Sequence, residues 1–188
     1  MAILKIARMG NPVLLRRAEP VADPTAPEIR RLIADMVDTL LDAEAAGLAA
    51  PQVHVPLRLF IFRARPERLT GLAEDTPTGI VAIINPIVEA AGERVALEWE
   101  GCLSIPGLRG AVPRPERVRY RGVDAEGRPI DATVAGFHAR VVQHEMDHLD
   151  GILYPMRMDD FALFGFTEDL MRAAAATAGA PREGGRDG

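Results

Sequence analysis

The strongest constraint on the fold is a short run near the end of the chain, His144–His148, which reads HEMDH. On an α-helix its two histidines are one turn apart and lie on the same face. Phe137 and Val141 continue that face toward the start of the helix, which indicates that the face turns inward. Because buried imidazoles and carboxylates are costly without partners, the run predicts a central helix that carries a metal site.

A catalytic metal site usually has three protein ligands and one position open to water. His144 and His148 supply two ligands, and Glu145 is placed to take a proton rather than to bind the ion. The candidates for the third ligand are the single cysteine, two further histidines and a carboxylate: Cys102, His54, His138, or an Asp or Glu. His138 lies off the ligand face, and Cys102 is either a ligand or a buried, inert thiol.

Composition excludes several broad classes of protein. The 188 residues are 48% hydrophobic and 26% charged, which is typical of a folded protein. We expect a single domain that spans residues 1–178 and a disordered tail at 179–188. A net charge of −5 disfavours a general nucleic-acid binder. No apolar run reaches the ~18 residues of a membrane span, and a single cysteine fits a reducing cytoplasm.

Hydrophobic periodicity predicts three helices. The first follows a capping box of Thr25 and Glu28 and ends near Gly47. The second spans about Phe137–Leu149, and the third runs from about Asp160 to Ala178. The first 26 residues, which contain three prolines, are expected to form an irregular arm.

Between the first two helices the chain reads as short strands and loops. The predicted strands are Leu57–Phe62, Ile80–Ile84, Arg94–Trp99, Val118–Val123 and Ile130–Val134. Residues Ala64–Gly79 are expected to form an exposed loop. The predicted fold is therefore α+β, with antiparallel strands packed around a central metal-binding helix in a single domain.

Three short motifs bring the sequence close to a known family. In chain order they are Gly47–Gln52 (GLAAPQ), Glu100–Ser104 (EGCLS) and Gln143–His148 (QHEMDH). Together they resemble the three motifs of peptide deformylases, and the resemblance extends over roughly residues 1–158. It implies a metal-dependent hydrolase that removes the formyl group from the initiator methionine of newly made proteins.

The resemblance also implies roles for individual residues. It implies three metal ligands, namely Cys102, His144 and His148. The ion, Fe²⁺ in the cell with Zn²⁺, Ni²⁺ or Co²⁺ able to substitute, lowers the pKa of a water molecule that attacks the formyl carbon. Glu145 acts as general acid and base, while the Gln52 amide and the Leu103 backbone N–H hold the developing oxyanion.

Substrate contacts follow from the same motifs. An extended peptide is expected to pair with backbone edges at Ala46, Gly47 and Gly101. Phe137 and Val141 precede His144 on its helix face, so they are expected to line an apolar pocket for methionine or to be ordinary core. Arg109 is expected to contact the substrate chain or a surface carboxylate. N-formylmethionyl nascent peptides are therefore the expected partners.

One residue departs from the family pattern. Ala45 stands where the first motif usually has its first glycine. If that backbone needs a positive φ, alanine is strained by about 1 kcal/mol or more, which affects peptide affinity rather than the metal site.

Two rival functions and one further partner stay open. A zinc endopeptidase uses the same histidine spacing, but the chain has no histidine after His148, and its next glutamate is Glu168. A non-catalytic relative is favoured only by Ala45. The third helix either docks on the domain or reaches a partner such as the ribosome, although Arg172 is its only basic residue. The absence of an Arg- and Ser-rich leader favours a bacterial cytoplasm.

Overall fold

The computed structural model describes residues 2–179, and the tail predicted at 179–188 lies beyond them except for its first residue. The fold is α+β, as predicted. Its helices in the described part are α1 (Pro27–Asp42), α2 (Gly136–Leu149) and α3 (Thr167–Gly179). Its strands there are β1 (Gly47–Ala49), β2 (Leu59–Phe62), β3 (Val81–Ala90), β4 (Val95–Cys102), β5 (Ile105–Pro115), β6 (Arg117–Val123), β7 (Pro129–Ala135) and β8 (Phe164–Phe166).

The strands form two antiparallel sheets, and α2 packs against strands of both. The larger sheet has the order β1-β2-β3-β6-β7, and the smaller has the order β4-β5-β8. Helix α2 is buried along most of its length, as the inward-facing histidine face predicts. The N-terminal arm contains only a short 3₁₀ turn at Pro12–Leu15 and contributes Leu14 to the core.

The start of α2 is stabilised by a residue far away in sequence. Asp75 accepts hydrogen bonds from the backbone N–H groups of Phe137 (3.1 Å) and His138 (3.0 Å), and so caps the helix. The Thr70 backbone N–H also donates to Asp75, at 2.6 Å. Burial raises the pKa of the Asp75 carboxyl, but these hydrogen bonds outweigh burial and hold the pKa below its usual value. Asp75 is only 6% exposed, so the loop predicted as exposed is anchored in the core.

Helix α1 begins at Pro27, close to the predicted start, but the predicted capping box and the predicted stop were wrong. The Thr25 hydroxyl donates to Asp23 instead of capping the helix, whose N-cap is Ala26 with no side-chain hydrogen bond. The helix stops at Asp42 because Glu44, two residues later, has φ +50°. Gly47, the predicted stop, begins β1 instead.

The third helix was predicted too early, and three strands were missed. Residues Phe161–Leu163 form a 3₁₀ turn, and β8 follows before α3 begins at Thr167. Strand β5 was hidden by its prolines, which cannot donate to a ladder. Pro113 and Pro115 pair only with β4, beyond the part of β5 that β8 covers. Strand β1, also missed, is only three residues long.

None of the helices within residues 2–179 combines the length and the apolar character that crossing a membrane requires.

The Asp75 cap predicts a measurable loss of stability. Replacing Asp75 with alanine leaves two N–H groups of α2 without their acceptor, so the free energy of unfolding should fall by about 1–3 kcal/mol. Urea denaturation measures the difference. The matched control is Asp131→Ala, which removes an exposed carboxylate paired with Arg119 and should cost at most about 1 kcal/mol.

The same carboxylate predicts a pH signature. Because its folded pKa lies below its unfolded pKa of about 3.9, the Asp75 contribution is complete above that value and is lost as the pH falls through the folded pKa. The stability gap between wild type and Asp75→Ala should therefore narrow in acid. Equal losses in the Asp75 and Asp131 variants at neutral pH would contradict the capping role.

Candidate metal centre

Three side chains with metal-binding atoms meet between β4 and α2. Cys102 ends β4, and His144 and His148 lie one turn apart on α2. The potential ligand atoms of these residues lie within 4.8 Å of one another, and Cys102 Sγ is 3.3 Å from His148 Nε2. Within residues 2–179 this is the only such group of three or more His, Cys, Asp or Glu side chains.

The other candidate ligands lie elsewhere. His54 is exposed, with φ +66° at the end of a 3₁₀ turn. His138 is buried on the opposite side of α2, where its Nδ1 lies 3.2 Å from the Thr76 carbonyl oxygen and its ring lies beside Phe62 and Tyr120. Of the third ligands that the sequence left open, the structure brings Cys102 to the two histidines.

His144 is oriented by a buried carboxylate, Glu100. The Nδ1 atom of His144 lies 2.8 Å from Glu100 Oε2, so Nδ1 carries the donated proton and Nε2 presents its lone pair to an ion. Burial raises the pKa of Glu100, but its hydrogen bonds with His144 and Arg114 outweigh burial and hold the pKa well below the usual value. Glu100 is therefore a permanent anion beside the ligand.

Two arginines complete the surroundings of Glu100. Arg114 donates to both of its carboxylate oxygens, at 2.5 and 3.0 Å, and Arg140 donates to Oε1 at 2.7 Å. Arg114 also donates to Asp147 at 2.8 Å, and Asp147 in turn accepts from Arg157 at 2.7 Å. This buried ionic network, defined as Glu100, Arg114, Arg140 and Asp147 with the exposed Arg157 at its outer end, ties β4 and β5 to α2.

Gln52 is buried next to the cysteine and is held at both ends of its amide. Its Oε1 accepts from the Ala49 backbone N–H at 2.9 Å, while Nε2 donates to Ser104 Oγ at 3.2 Å and to Cys102 Sγ at 3.4 Å. Burial raises the pKa of the Cys102 thiol, but His148 and His144 outweigh burial and hold it below its usual value. Cys102 therefore favours the thiolate form that binds metals.

Glu145 is buried beside the ligands with one free oxygen. Its Oε2 has no hydrogen-bond partner, although the side chain is only 4% exposed. Burial raises the pKa of Glu145 to about 7, and the neighbouring His144 and His148 lower it only in part. A buried oxygen without a partner is expected where a carboxylate serves a bound group or a reacting molecule.

Glycine is required opposite Glu145. A Cβ atom at Gly47 would overlap Oε1 of Glu145, so the carboxylate keeps its place only because β1 begins with a residue that lacks a side chain. Ala45, two residues earlier, is not among the residues with positive φ, so the strain considered for this position does not arise. Glu44 takes the positive φ instead.

The donor set fits a divalent metal ion. One thiolate and two imidazoles are ligands that Zn²⁺, Fe²⁺, Co²⁺ and Ni²⁺ all accept, and three protein ligands leave a position open. The Glu100–His144 hydrogen bond supplies the outer contact that metal-binding histidines usually make. The convergence of these atoms supports the site independently of sequence motifs.

A cavity of about 460 Å³ opens at this centre. All six residues expected to bind substrate line it, namely Ala46, Gly47, Gly101, Arg109, Phe137 and Val141. So do most residues expected to act in catalysis or metal binding: Gln52, Cys102, Leu103, His144 and Glu145. The residue set predicted from sequence is therefore brought together in one place.

Sequence reasoning missed the roles of Glu100, Arg114, Arg140 and Asp147. Glu100 and Asp147 stand inside the quoted motifs, yet nothing in their spacing shows that they are buried. A partial signal was available for Arg140, which lies on α2 between Phe137 and His144 and therefore near the inward face.

The Glu100–His144 contact predicts a change in metal affinity. Glu100→Gln keeps the shape of the side chain but removes the anion that orients His144 and strengthens it as a ligand. We expect the affinity for Co²⁺ or Zn²⁺ to fall about 10–100-fold, measured by competition with a chromophoric chelator. Circular dichroism checks that the variant is folded.

Glu98→Gln is the matched control, because Glu98 lies two residues earlier on β4 and is exposed. It should leave metal affinity unchanged. An unchanged affinity in folded Glu100→Gln would show that Glu100 serves only to balance the arginines.

Comparison with known proteins identifies the family of the chain. The sequence model described as "Polypeptide deformylase" matches residues 3–163. "Peptide deformylase 1" of Nitrosomonas europaea is 50% identical over 168 residues, which cover 89% of this chain and 94% of that protein. "Peptide deformylase 2" of Ralstonia nicotianae is 51% identical with the same coverage.

Solved structures show the same fold. A crystal structure of class I type b peptide deformylase from Acinetobacter baumannii, bound to K3U, matches with a TM-score of 0.76 and 33% identity. The match covers 84% of this chain and all of that one. Peptide deformylase from Thermotoga maritima matches with a TM-score of 0.76 and 31% identity, covering 85% of this chain and all of that one. The chain therefore belongs to the polypeptide deformylase family, the hydrolases that deformylate newly made proteins.

Proposed function

We propose that this chain performs deformylation with Cys102, His144 and His148 as ligands of one divalent metal ion and Glu145 as the residue that moves protons. The observation that carries this proposal is the meeting of the three ligand atoms within 4.8 Å, next to the buried, partner-free oxygen of Glu145. An endopeptidase is not favoured, because the chain belongs to the deformylase family. Its proposed third ligand is also a cysteine rather than a histidine or glutamate that follows His148.

A divalent ion bound by these residues supplies Lewis-acid activation of water and of the formyl oxygen. The donor set itself accepts several ions. We propose Fe²⁺ as the ion used in the cell, with Zn²⁺, Ni²⁺ or Co²⁺ able to replace it. The proposal rests on the family resemblance together with the mixed thiolate and imidazole donors.

Glu145 is proposed as the general base and then the general acid. It accepts a proton from water as the water oxygen attacks the formyl carbon, and it delivers that proton to the amine as the C–N bond breaks. The products are formate and a free amino terminus. A carboxyl with a pKa raised to about 7 by burial suits both directions of transfer.

Gln52 and Leu103 are proposed to stabilise the oxyanion that forms on the formyl oxygen. The Gln52 amide is buried and positioned by Ala49 and Ser104, and its Nε2 atom exchanges the long 3.4 Å hydrogen bond to Cys102 Sγ for one to the oxyanion. Leu103, whose backbone N–H is the second proposed donor, follows Cys102 directly and lines the same cavity. Fixed donors of this kind are worth about 2.7–4 kcal/mol in other hydrolases.

The substrate is proposed to bind as an extended chain with its methionine side chain in the cavity. Ala46, Gly47 and Gly101 offer backbone groups to the peptide. Phe137 is half-buried and Val141 buried, and both also pack on the core, so pocket wall and core coincide. Arg109 is proposed to contact the chain downstream of the methionine.

The proposed cellular setting is the bacterial cytoplasm, where N-formylmethionyl nascent peptides are made. It is supported by the bacterial origin of the relatives named above. Contact with the ribosome, if made through a helix, would fall to α3, where residues 171–175 are exposed. Its arginine Arg172 is paired with Asp169, which leaves little positive charge for RNA.

Replacing Glu145 with glutamine tests the proton-transfer role. The variant keeps the size of the side chain but cannot accept a proton, so kcat/KM should fall about 100- to 10,000-fold. The measurement is formate release from formyl-Met-Ala-Ser by protein loaded anaerobically with Fe²⁺.

Metal content is the control for this experiment. Glu145→Gln should keep one ion per chain, since Glu145 is not a ligand. A variant that keeps its ion and its activity would exclude Glu145 as the acid–base residue. Wild-type protein that binds one ion but releases no formate would favour the non-catalytic relative.

A further inference from the structure

A second cavity, of about 430 Å³, adjoins the cavity at the metal centre. The two share five lining residues: Arg68, Trp99, Arg109, Phe137 and Arg140. These residues come from both sides of the boundary, because Trp99 and Arg109 lie on the β4–β5 sheet while Phe137 and Arg140 lie on α2. A peptide that extends from the first cavity into the second must pass between them.

The three arginines at this boundary differ in their partners. Arg140 is neutralised by Glu100 and also donates to the carbonyl oxygens of Val112 and Ala96. Arg68 lies over the ring of Phe137, with its guanidinium carbon 4.6 Å from the ring centre. Within the described part of the chain, Arg68 and Arg109 have no acidic partner. Two guanidinium groups at the boundary are thus available to a ligand.

Acidic groups around the second cavity only partly offset this charge. Glu116 is paired with Arg94 at 3.4 Å. Glu98 also lines the cavity and, among residues 2–179, has no basic partner. Two available cations therefore face one available carboxylate, and the boundary attracts anions.

We propose that the second cavity receives an acidic side chain of the substrate, downstream of the formylmethionine, and that Arg68 and Arg109 pair with its carboxylate. This inference rests on the proposed function, because it requires a peptide held at the metal centre. Arginine suits the role, since its planar donors match a carboxylate and stack on aromatic rings such as Phe137. The chain would thus prefer nascent proteins with Asp or Glu among their first residues.

The test compares peptides that differ by one charge. Formylated, C-terminally amidated pentapeptides based on Met-Ala-Ser-Ala-Ala carry either Glu or Gln at position three, four or five. At one or more positions kcat/KM for Glu should exceed that for Gln about three- to tenfold at low ionic strength. The advantage should shrink as salt is added, because the boundary is partly exposed.

Neutralising the charged side chains one at a time identifies the residues responsible for the preference. Arg68→Gln and Arg109→Gln should each lower the Glu/Gln ratio toward one, whereas Glu98→Gln should raise it. Arg30→Gln is the matched control, since Arg30 is an exposed arginine on α1 that lines neither cavity. Using the ratio within each variant removes any general loss of activity.

A wild-type ratio of one or less at all three positions would overturn the inference, as would a ratio that falls equally in the Arg30 control. Turnover of the Gln peptides reports the proposed function by itself. Turnover of the Gln peptides together with a Glu/Gln ratio of one would support deformylation and exclude only the acidic subsite.

Discussion

The site depends on one buried carboxylate, Glu100, and the cations that surround it. Glu100 accepts from Arg114 and Arg140 and holds Nδ1 of His144, so one anion links the smaller sheet to helix α2. Unpaired, such a charge would be strongly destabilising inside a protein. The position of His144, a proposed metal ligand, is therefore coupled to the packing of β4 and β5 on α2.

The groups proposed to take part in the reaction come from distant parts of the chain. Gln52 and Cys102 are fifty residues apart, yet a hydrogen bond of 3.4 Å joins them. Glu145 keeps its place because Gly47 at the start of β1 leaves room for it. Each sheet thus places one residue of the site against α2. The larger sheet contributes Gly47 and the smaller sheet contributes Cys102, and the cavity forms where the two sheets meet the helix.

Local patterns predicted the α2 helix and the placement of its two histidines on one inward face, because both depend on residue spacing within a single stretch of sequence. Cys102 became a firm candidate for the third ligand only through the family resemblance, because a single cysteine can also be a buried, inert core residue. The buried ionic network was beyond sequence reasoning, since the burial of a charge is decided by tertiary contacts. The Asp75 cap was missed for a similar reason, because it lies more than sixty residues from the helix it stabilises.

The most direct test of the central claim is the absorption spectrum of the Co²⁺-loaded protein. If Cys102, His144 and His148 bind one ion, titration should saturate at one Co²⁺ per chain and produce a thiolate-to-cobalt charge-transfer band in the near ultraviolet. Cys102→Ser should abolish that band. Stoichiometric binding without the band, or a band that survives in Cys102→Ser, would show that the ion is held elsewhere and would contradict the account.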